Sequence, residues 1–453
     1  MTATDGLEAA LEKMRADGAQ PVAVDTFRHY YERLRSGEAG VLREDEIEPV
    51  DDAQDFDDLP DGSRAPLDEV VVLKLNGGLG TSMGMTRAKS LLEVKEGLTF
   101  LDVIVRQVLA LREATGARIP LVLMNSFATR EESLAALRRH EGVEADVPLD
   151  FVQNRVPKIR ADDLMPVEWR PAPEQEWAPP GHGDLYPALV ASGMLETLLE
   201  RGYRYAFVSN SDNLGATLDP RILEWMARDE VPFVDEVAVR SEQDRKGGHL
   251  ARRRDGGGLV LREIAQTAEE DLAAFQDITR HRFFNTNTLW FDLRALEATL
   301  AEHGGVLPLP MIVNRKTVDP TDSSSTAVVQ LESAMAAAID VFEGARALRV
   351  PKSRFAPVKT TDDLLVVRSD AYRLTDEAHL ELVPEVAPIV QLDPEFFKLV
   401  GDFDARFPAG PPSLAEASRL EVRGDVTFGR DVVVRGSVVV EGPRRVRDGE
   451  VLS

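Results

Sequence analysis

The chain has 453 residues, 43% of them hydrophobic, a formal net charge of -25 and no cysteine. That length exceeds one ordinary domain, so a large α/β domain plus at least one smaller unit is expected; the lack of cysteine excludes disulfides and cysteine-ligated metals. The acidity argues against nucleic acid, which wants a basic face. It leaves phosphorylated small molecules open, provided that backbone amides, lysines and a divalent cation offset the repulsion locally. No stretch approaches a membrane-spanning run of about 18 apolar residues. Met1-Thr2-Ala3-Thr4-Asp5 carries an acid where a signal peptide carries a base, so a cytoplasmic location is expected.

Residues 7–35 have helical periodicity: Leu7, Leu11 and Met14, then Val22, Phe27, Tyr30, Tyr31 and Leu34. Residues 41–68 are acidic and punctuated by proline, a lead-in that wraps or tethers. From Val70 the pattern alternates strand and helix. Val70–Leu75 is a short β-branched apolar run, which predicts a buried strand of a parallel sheet. Helical spacing follows over Leu101–Leu111, a strand over Ile119–Met124, a helix over Ser133–His140, and strands over Leu149–Gln153 and Tyr205–Ser209. Polar residues gather just past the strand ends, at Asn76, at Asn125-Ser126 and at Asn210-Ser211-Asp212-Asn213. An open doubly wound sheet binds its ligand along such an edge.

The strand at Val70 breaks into Gly77, Gly78, Gly80 and Gly84, with Lys89-Ser90 close behind. Glycine lets the backbone approach a ligand, exposed N–H groups supply partial positive charge and a lysine supplies a full one, which is a phosphate-binding arrangement. Three motifs are tested against it. The Walker pattern fails, because three residues separate Gly80 from Gly84 and Met85 follows instead of lysine. The G-x-G-x-x-G fingerprint is off by one. Gly80-Thr81-Ser82-Met83-Gly84 does match G-x-S-x-G, but six residues separate Leu75 from Ser82, whereas a nucleophile elbow turns directly off its strand.

Leu75-Asn76-Gly77-Gly78-Leu79-Gly80-Thr81-Ser82-Met83-Gly84, ending in Lys89-Ser90, resembles the nucleotide-binding loop of the eukaryotic-type UTP–glucose-1-phosphate uridylyltransferases (UDP-glucose pyrophosphorylases). Further motifs follow in the family's order. Gln153, in Phe151-Val152-Gln153-Asn154, is similar to the glutamine that reads the uracil edge, where an amide offers donor and acceptor together. Pro179-Pro180-Gly181-His182-Gly183-Asp184 matches the family's sequence; its glycines are expected to let the backbone approach the nucleotide, with His182 binding the sugar phosphate rather than shuttling a proton. Asn210-Ser211-Asp212 resembles the metal segment, with Asp212 the Mg²⁺ ligand. The family more often has an apolar residue where Ser211 stands. Glu263 and Asn287 resemble sugar-side residues, with Asn285 as the alternative to Asn287, while Lys246 reads as solvated. Arg354-Phe355-Ala356-Pro357-Val358-Lys359-Thr360-Thr361 matches a segment whose lysine contacts the nucleotide phosphates.

In the tail, Leu420, Val426, Val432 and Val438 are six apart, as are Val422, Phe428, Val434 and Val440. Such a hexad predicts a left-handed β-helix of barely more than one rung, which must pack on something else. The resemblance implies a Rossmann-like nucleotidyltransferase (GT-A-like) mixed α/β sheet flanked by helices, with this short β-helix behind it. The expected division is a helical lead-in over 1–69, a catalytic domain over 70–380 and a C-terminal domain over 381–453. It also implies uridylyl transfer from MgUTP to glucose 1-phosphate, giving UDP-glucose and pyrophosphate. Lys89, Lys359 and Asp212 are then catalytic. Leu75, Asn76, Gly77, Gly78, Gln153 and Gly181 bind nucleotide with them, and His182, Asn210, Ser211, Asp212, Glu263 and Asn287 bind the sugar phosphate. A homo-oligomer through the C-terminal region is a further implication. The rivals are a broader UDP-sugar pyrophosphorylase, a metal-dependent UDP-sugar glycosyltransferase and a non-catalytic sensor.

Overall fold

The computed structural model describes residues 3–37 and 40–453; Met1 and Thr2, part of the expectation about the N-terminal charge, lie outside the described residues. The chain forms two compact units that interleave along the sequence. The first takes Met1–Leu73, Asp146–Val208 and Asp219–Pro351, and the second Lys74–Ala145, Ser209–Leu218 and Lys352–Ser453.

In the first unit the N-terminal periodicity becomes two helices, Ala3–Ala16 and Pro21–Arg35, the second opening on a proline whose missing N–H costs nothing there. Leu7, Leu11, Met14, Phe27, Tyr30 and Tyr31 are buried as the spacing predicted, while Val22 and Leu34 are half-buried. The lead-in is stitched down by short pairings. Ile47–Glu48 runs antiparallel to His249–Arg253, and Gln54–Asp55 runs parallel to Arg346–Arg349. Glu44 adds a charged tie, accepting from Arg262 Nη1 at 2.6 Å and from His281 Nε2 at 3.0 Å.

The first unit's sheet runs in the order Gln54–Asp55, Arg346–Arg349, Phe233–Val239, Phe283–Asp292, then the starts of Tyr205–Asn210 and Val70–Asn76. It is mixed, because Phe283–Asp292 lies antiparallel to Phe233–Val239. Val70–Leu73 are buried to within 1% of full burial, which accounts for an unbroken apolar run with no alternation. Aromatic pairs fill the core, with ring centroids 4.6 Å apart for Phe207–Trp290 and 5.6 Å for Tyr186–Phe291.

Two strands, Val70–Asn76 and Tyr205–Asn210, pass from the first unit into the second, so their polar ends belong to the latter. The second unit adds the strand Leu121–Asn125 and the helices Phe100–Thr115 and Arg130–Leu137. Thr99 and Asp102 form a capping box at the start of Phe100–Thr115, and Gly116, at φ 71°, ends that helix in a conformation that glycine adopts without strain.

In the tail the strands pair in parallel. Leu420 pairs in parallel with Val438, and Val422 with Val440; Val426–Thr427 pairs with Arg444–Arg445, and Val433–Val434 with Val451–Leu452. Each partner lies eighteen positions on, so the repeat is laid down twice rather than little more than once. Leu420, Val422, Val426, Phe428, Val432, Val434, Val438 and Val440 all point inward. The apolar end finds its cover in the same unit: Phe407 stacks on Phe428 at 4.9 Å and meets Phe403 at the same distance.

Candidate active site

In the second unit the glycine loop is built from backbone hydrogen bonds at the end of the strand Val70–Asn76. Asn76 is buried, and its amide nitrogen donates to Asn125 Oδ1 at 2.7 Å and to Ser133 Oγ at 2.8 Å, while its oxygen accepts from Ser211 Oγ at 3.3 Å. This side chain is committed to joining strand ends, which leaves its main chain for a ligand. The Leu75 carbonyl accepts from Ser211 N at 3.1 Å, and the Gly77 carbonyl from Ser126 Oγ at 3.0 Å. A Cβ on Gly78 would meet nothing within 4 Å, so this face of the loop is open. Gly80 and Gly84, at φ 66° and 74°, bracket a 3₁₀ turn, Thr81–Met83, that carries Ser82 exposed and well clear of the strand end. That is not a nucleophile elbow.

The loop then folds back. Lys89 N donates to the Gly78 carbonyl at 3.0 Å, and the Lys89 side chain reaches Asp212, Nζ to Oδ2, at 2.7 Å. The two residues are 16% and 22% exposed, so the pair is partly desolvated yet still reachable from solvent. Asp212 heads a turn and not a helix, so its carboxylate is a charge partner and not a helix cap. The segment that carries Lys359 is fastened to the same turn. Asn213 Oδ1 accepts from Ala356 N at 2.9 Å, Asn213 Nδ2 donates to the Arg354 carbonyl at 3.2 Å, and Val358 N donates to the Asp212 carbonyl at 3.1 Å. Lys359 is exposed, with Nζ 5.8 Å from the Phe355 ring centroid. The three predicted catalytic residues thus gather at one turn, alongside Asn210 and Ser211.

Sequence reasoning missed two supports here. Lys74 is a buried lysine that donates to Ser209 Oγ at 2.5 Å and to the Ala216 carbonyl at 2.8 Å, and so braces the residues around Asp212. A charge inside an otherwise apolar strand was the available signal. Asn213 is the second; nothing in its motif distinguishes it from a solvated asparagine.

In the first unit Gln153 stands half-buried one residue past the strand Asp150–Val152. Its neighbour Asn154 donates twice to Asp184, from N to Oδ2 at 2.6 Å and from Nδ2 to Oδ1 at 2.9 Å. Burial pushes the Asp184 carboxyl up to about 7, opposed by those two hydrogen bonds. His182 Nδ1 accepts from Met335 N at 3.0 Å. Burial lowers its pKa to about 4, so the imidazole is neutral at working pH, and with Nδ1 accepting, Nε2 carries the proton. The glycines on either side also have a packing role. A Cβ on Gly181 would lie 2.5 Å from the Ser333 carbonyl oxygen, and one on Gly183 would meet Ser333 as well. Their lack of a side chain serves packing against Ser333; Gly78 is the glycine that leaves open space.

The sugar-side candidate Asn287 and its alternative Asn285 lie on a distorted strand. Register between Phe233–Val239 and Phe283–Asp292 shifts at Glu236/Val237, and Asn287 in the bulge has φ 55°, a strained value for a residue with a Cβ. Asn285 and Asn287 hold each other: Asn287 N donates to Asn285 Oδ1 at 2.7 Å, and Asn285 Nδ2 to Asn287 Oδ1 at 3.1 Å. The two asparagines that were alternatives thus form one element. Glu263 caps the turn Ile264–Gln266, and a Cβ on Gly248 would strike its carboxylate. Lys246 is exposed, as expected.

Asp235, fully buried on the bulged strand pair, has no hydrogen-bond partner for either oxygen among the described residues. Burial first, then the charges of Glu236 and Glu263, push its pKa far up, so it sits as a neutral acid. A carboxyl raised in the folded state stabilises the fold at low pH, and that contribution is lost as pH climbs above the unfolded carboxylate range. Asp235→Val is therefore expected to stabilise the protein by about 1–4 kcal/mol, more at pH 8 than at pH 5. Urea midpoints of wild type and variant at the two pH values check this, and a midpoint for Asp235→Val below that of wild type at pH 8 would give the carboxyl a different role.

With the geometry in place, comparison with known proteins is decisive. The profile of the family described as UTP--glucose-1-phosphate uridylyltransferase matches residues 24–435. The chain belongs to that family. Among curated members, the UTP--glucose-1-phosphate uridylyltransferase of Hordeum vulgare is 39% identical, covering 99% of this chain and 95% of its own. That of Solanum tuberosum is 40% identical, covering 90% and 85%. Among solved structures, the UDP-glucose pyrophosphorylase from Leishmania major described in open and closed forms is 44% identical with a TM-score of 0.91, covering 99% and 98%. A variant of the Leishmania major enzyme in complex with UDP-glucose is 45% identical with a TM-score of 0.92, at the same coverage. The family assignment and the uridylyltransferase function hold, and so does the large mixed α/β sheet flanked by helices.

Proposed function

We propose that this chain transfers a uridylyl group, converting UTP and glucose 1-phosphate to UDP-glucose and pyrophosphate, reversibly. What carries the reading is the Lys89–Asp212 pair, delivered by a glycine loop with an open backbone face in a member of this family. An oxygen of the sugar phosphate attacks the α-phosphorus of UTP, the bond to the bridging oxygen breaks, and pyrophosphate leaves with the electron pair. No proton has to move in that step, which suits a neutral His182. The protein's work is positioning and charge neutralisation.

The backbone of Leu75, Asn76, Gly77 and Gly78 holds the nucleotide, Gln153 reads the uracil edge and Gly181 shapes the His182 loop. Lys89 and Lys359 meet the phosphates. His182, through Nε2–H, with Asn210, Ser211, Glu263 and Asn287, holds the sugar phosphate. Asp212 fits a Mg²⁺ ligand: Mg²⁺ takes one or two carboxylates plus phosphate oxygens and water, and Asp212 offers a partly exposed carboxylate whose one oxygen is held by Lys89. Among the described residues no trio of acids or histidines forms a dedicated cage, which accords with a metal that arrives with its nucleotide. When bound, Mg²⁺ supplies countercharge to the phosphate oxygens.

Residues 70–380 make the catalytic domain in this reading, 1–69 its lead-in and 381–453 a C-terminal domain. The doubled eighteen-residue repeat supports a left-handed β-helix there, a candidate surface for a homo-oligomer. No helix among the described residues is long and apolar enough to cross a membrane; a cytoplasmic location is part of the same reading. Chelation tests the metal: EDTA is expected to abolish pyrophosphate release, and added Mg²⁺ to restore it. Ser82→Ala run alongside keeps full activity; its loss would return the case to the hydrolase reading.

A further inference from the structure

Asn154 and Asp184 sit in the two segments that hold Gln153 and His182, thirty positions apart. Their contact is a two-point clasp, with separate donors of one residue on separate oxygens of the other. Both flanks are otherwise firmly held. On the Asp184 side, Asp184 N donates to the Gly181 carbonyl, Ser333 N donates to the Pro180 carbonyl at 3.0 Å, and both glycines press on Ser333. On the Asn154 side the chain goes straight into Arg155, ion-paired with Asp17, and into the strand Val156–Pro157. Gln153 itself lies between the end of its strand and this clasp. We infer that Asp184 is a positioning residue for the nucleotide: its carboxylate, by accepting from both Asn154 donors, fixes Gln153 relative to the His182 loop. The inference rests on the uridylyltransferase reading, in which Gln153 and His182 are ligand groups.

The clasp needs two acceptor oxygens. Protonation turns one into a hydroxyl donor facing an N–H, so one arm opens. Other groups around Asp184 do not compete near neutral pH. Tyr30, from the helix Pro21–Arg35, is pushed up to about 12 by burial. His182, on the same turn, is held down at about 4. Ser333 does not titrate, Arg155 is committed to Asp17, and Glu332 lies 3.9 Å from Lys316. Asp184 itself titrates near 7, so the clasp is half-formed at neutrality and complete about a pH unit above it.

The test is calorimetric binding of UDP-glucose to the full chain from pH 6 to pH 8.5, since that ligand's diphosphate does not titrate in this window. Wild type is expected to bind about tenfold more tightly at pH 8 than at pH 6, by the proportion of ionised clasp. Asp184→Asn, which sets an amide donor against Asn154, is expected to bind about tenfold more weakly at pH 8 and to lose the pH dependence. In turnover it raises KM and leaves kcat within about twofold, as loss of uniform binding does. Asn154→Ser keeps the backbone arm and is expected to fall between, with the pH dependence retained; it carries the test if Asp184→Asn does not fold. Unchanged affinity and pH profile in Asp184→Asn, or a fall in kcat at constant KM, would overturn the inference. Failure of the underlying reading looks different: wild type itself then releases no pyrophosphate at any pH.

Discussion

Lys89→Ala is expected to lower the turnover of UTP and glucose 1-phosphate by about a hundredfold or more, the scale of removing one preorganised electrostatic group from a reacting centre. Lys89 is not a surface lysine with an incidental partner. Its backbone is tied to the Gly78 carbonyl, and its ammonium is fixed at 2.7 Å from Asp212 in a partly desolvated position. In the proposed mechanism this held ammonium faces the negative charge that develops on the phosphates. Lys89→Arg is expected to recover little, because a planar fork does not replace a compact point charge at the end of a tight turn. Steady-state pyrophosphate release measures both, and wild-type turnover in Lys89→Ala would remove Lys89 from the mechanism.

Asp212→Ala is expected to cost about a thousandfold, the upper end of the same range. Two losses coincide: the carboxylate proposed to hold the Mg²⁺ of the nucleotide goes, and Lys89 loses its counter-ion. Because the residues touch, their effects should not add. The double variant Lys89→Ala with Asp212→Ala is expected to be hardly slower than Asp212→Ala alone. Full additivity would mean that the ion pair is dispensable to the arrangement. Asp212→Asn separates the terms, since it keeps size and hydrogen bonding and removes only charge.

Much of this was legible in the chain itself because it is local. The strand Val70–Asn76 announces itself by its apolar run, the loop by its glycines, and the tail by its period of six. The grouping of Lys89, Asp212 and Lys359 was readable only through likeness to a family, since Lys89 and Asp212 are separated by 123 positions. What local reasoning could not see are groups whose surroundings depend on a distant partner. Gly181 and Gly183 read as ligand-approach glycines, and Ser333 fills the space beside them. The Asn76 side chain is likewise spoken for by Asn125, Ser133 and Ser211, which leaves only its backbone for the nucleotide. The Asn154–Asp184 clasp and the neutral Asp235 carry no sequence signal, because burial and not residue type sets their behaviour. The strain at Asn287 is likewise a product of pairing register, which one strand cannot reveal.

The most direct test of uridylyl transfer is pyrophosphate release from UTP and Mg²⁺, with glucose 1-phosphate, galactose 1-phosphate or N-acetylglucosamine 1-phosphate offered separately. Release fastest with glucose 1-phosphate, with UDP-glucose formed in equal amount, is the predicted result. Comparable rates with several sugars would mark a broader UDP-sugar pyrophosphorylase. No release with any of them, together with consumption of UDP-glucose without pyrophosphate, would contradict uridylyl transfer and point to glycosyl transfer on the same fold.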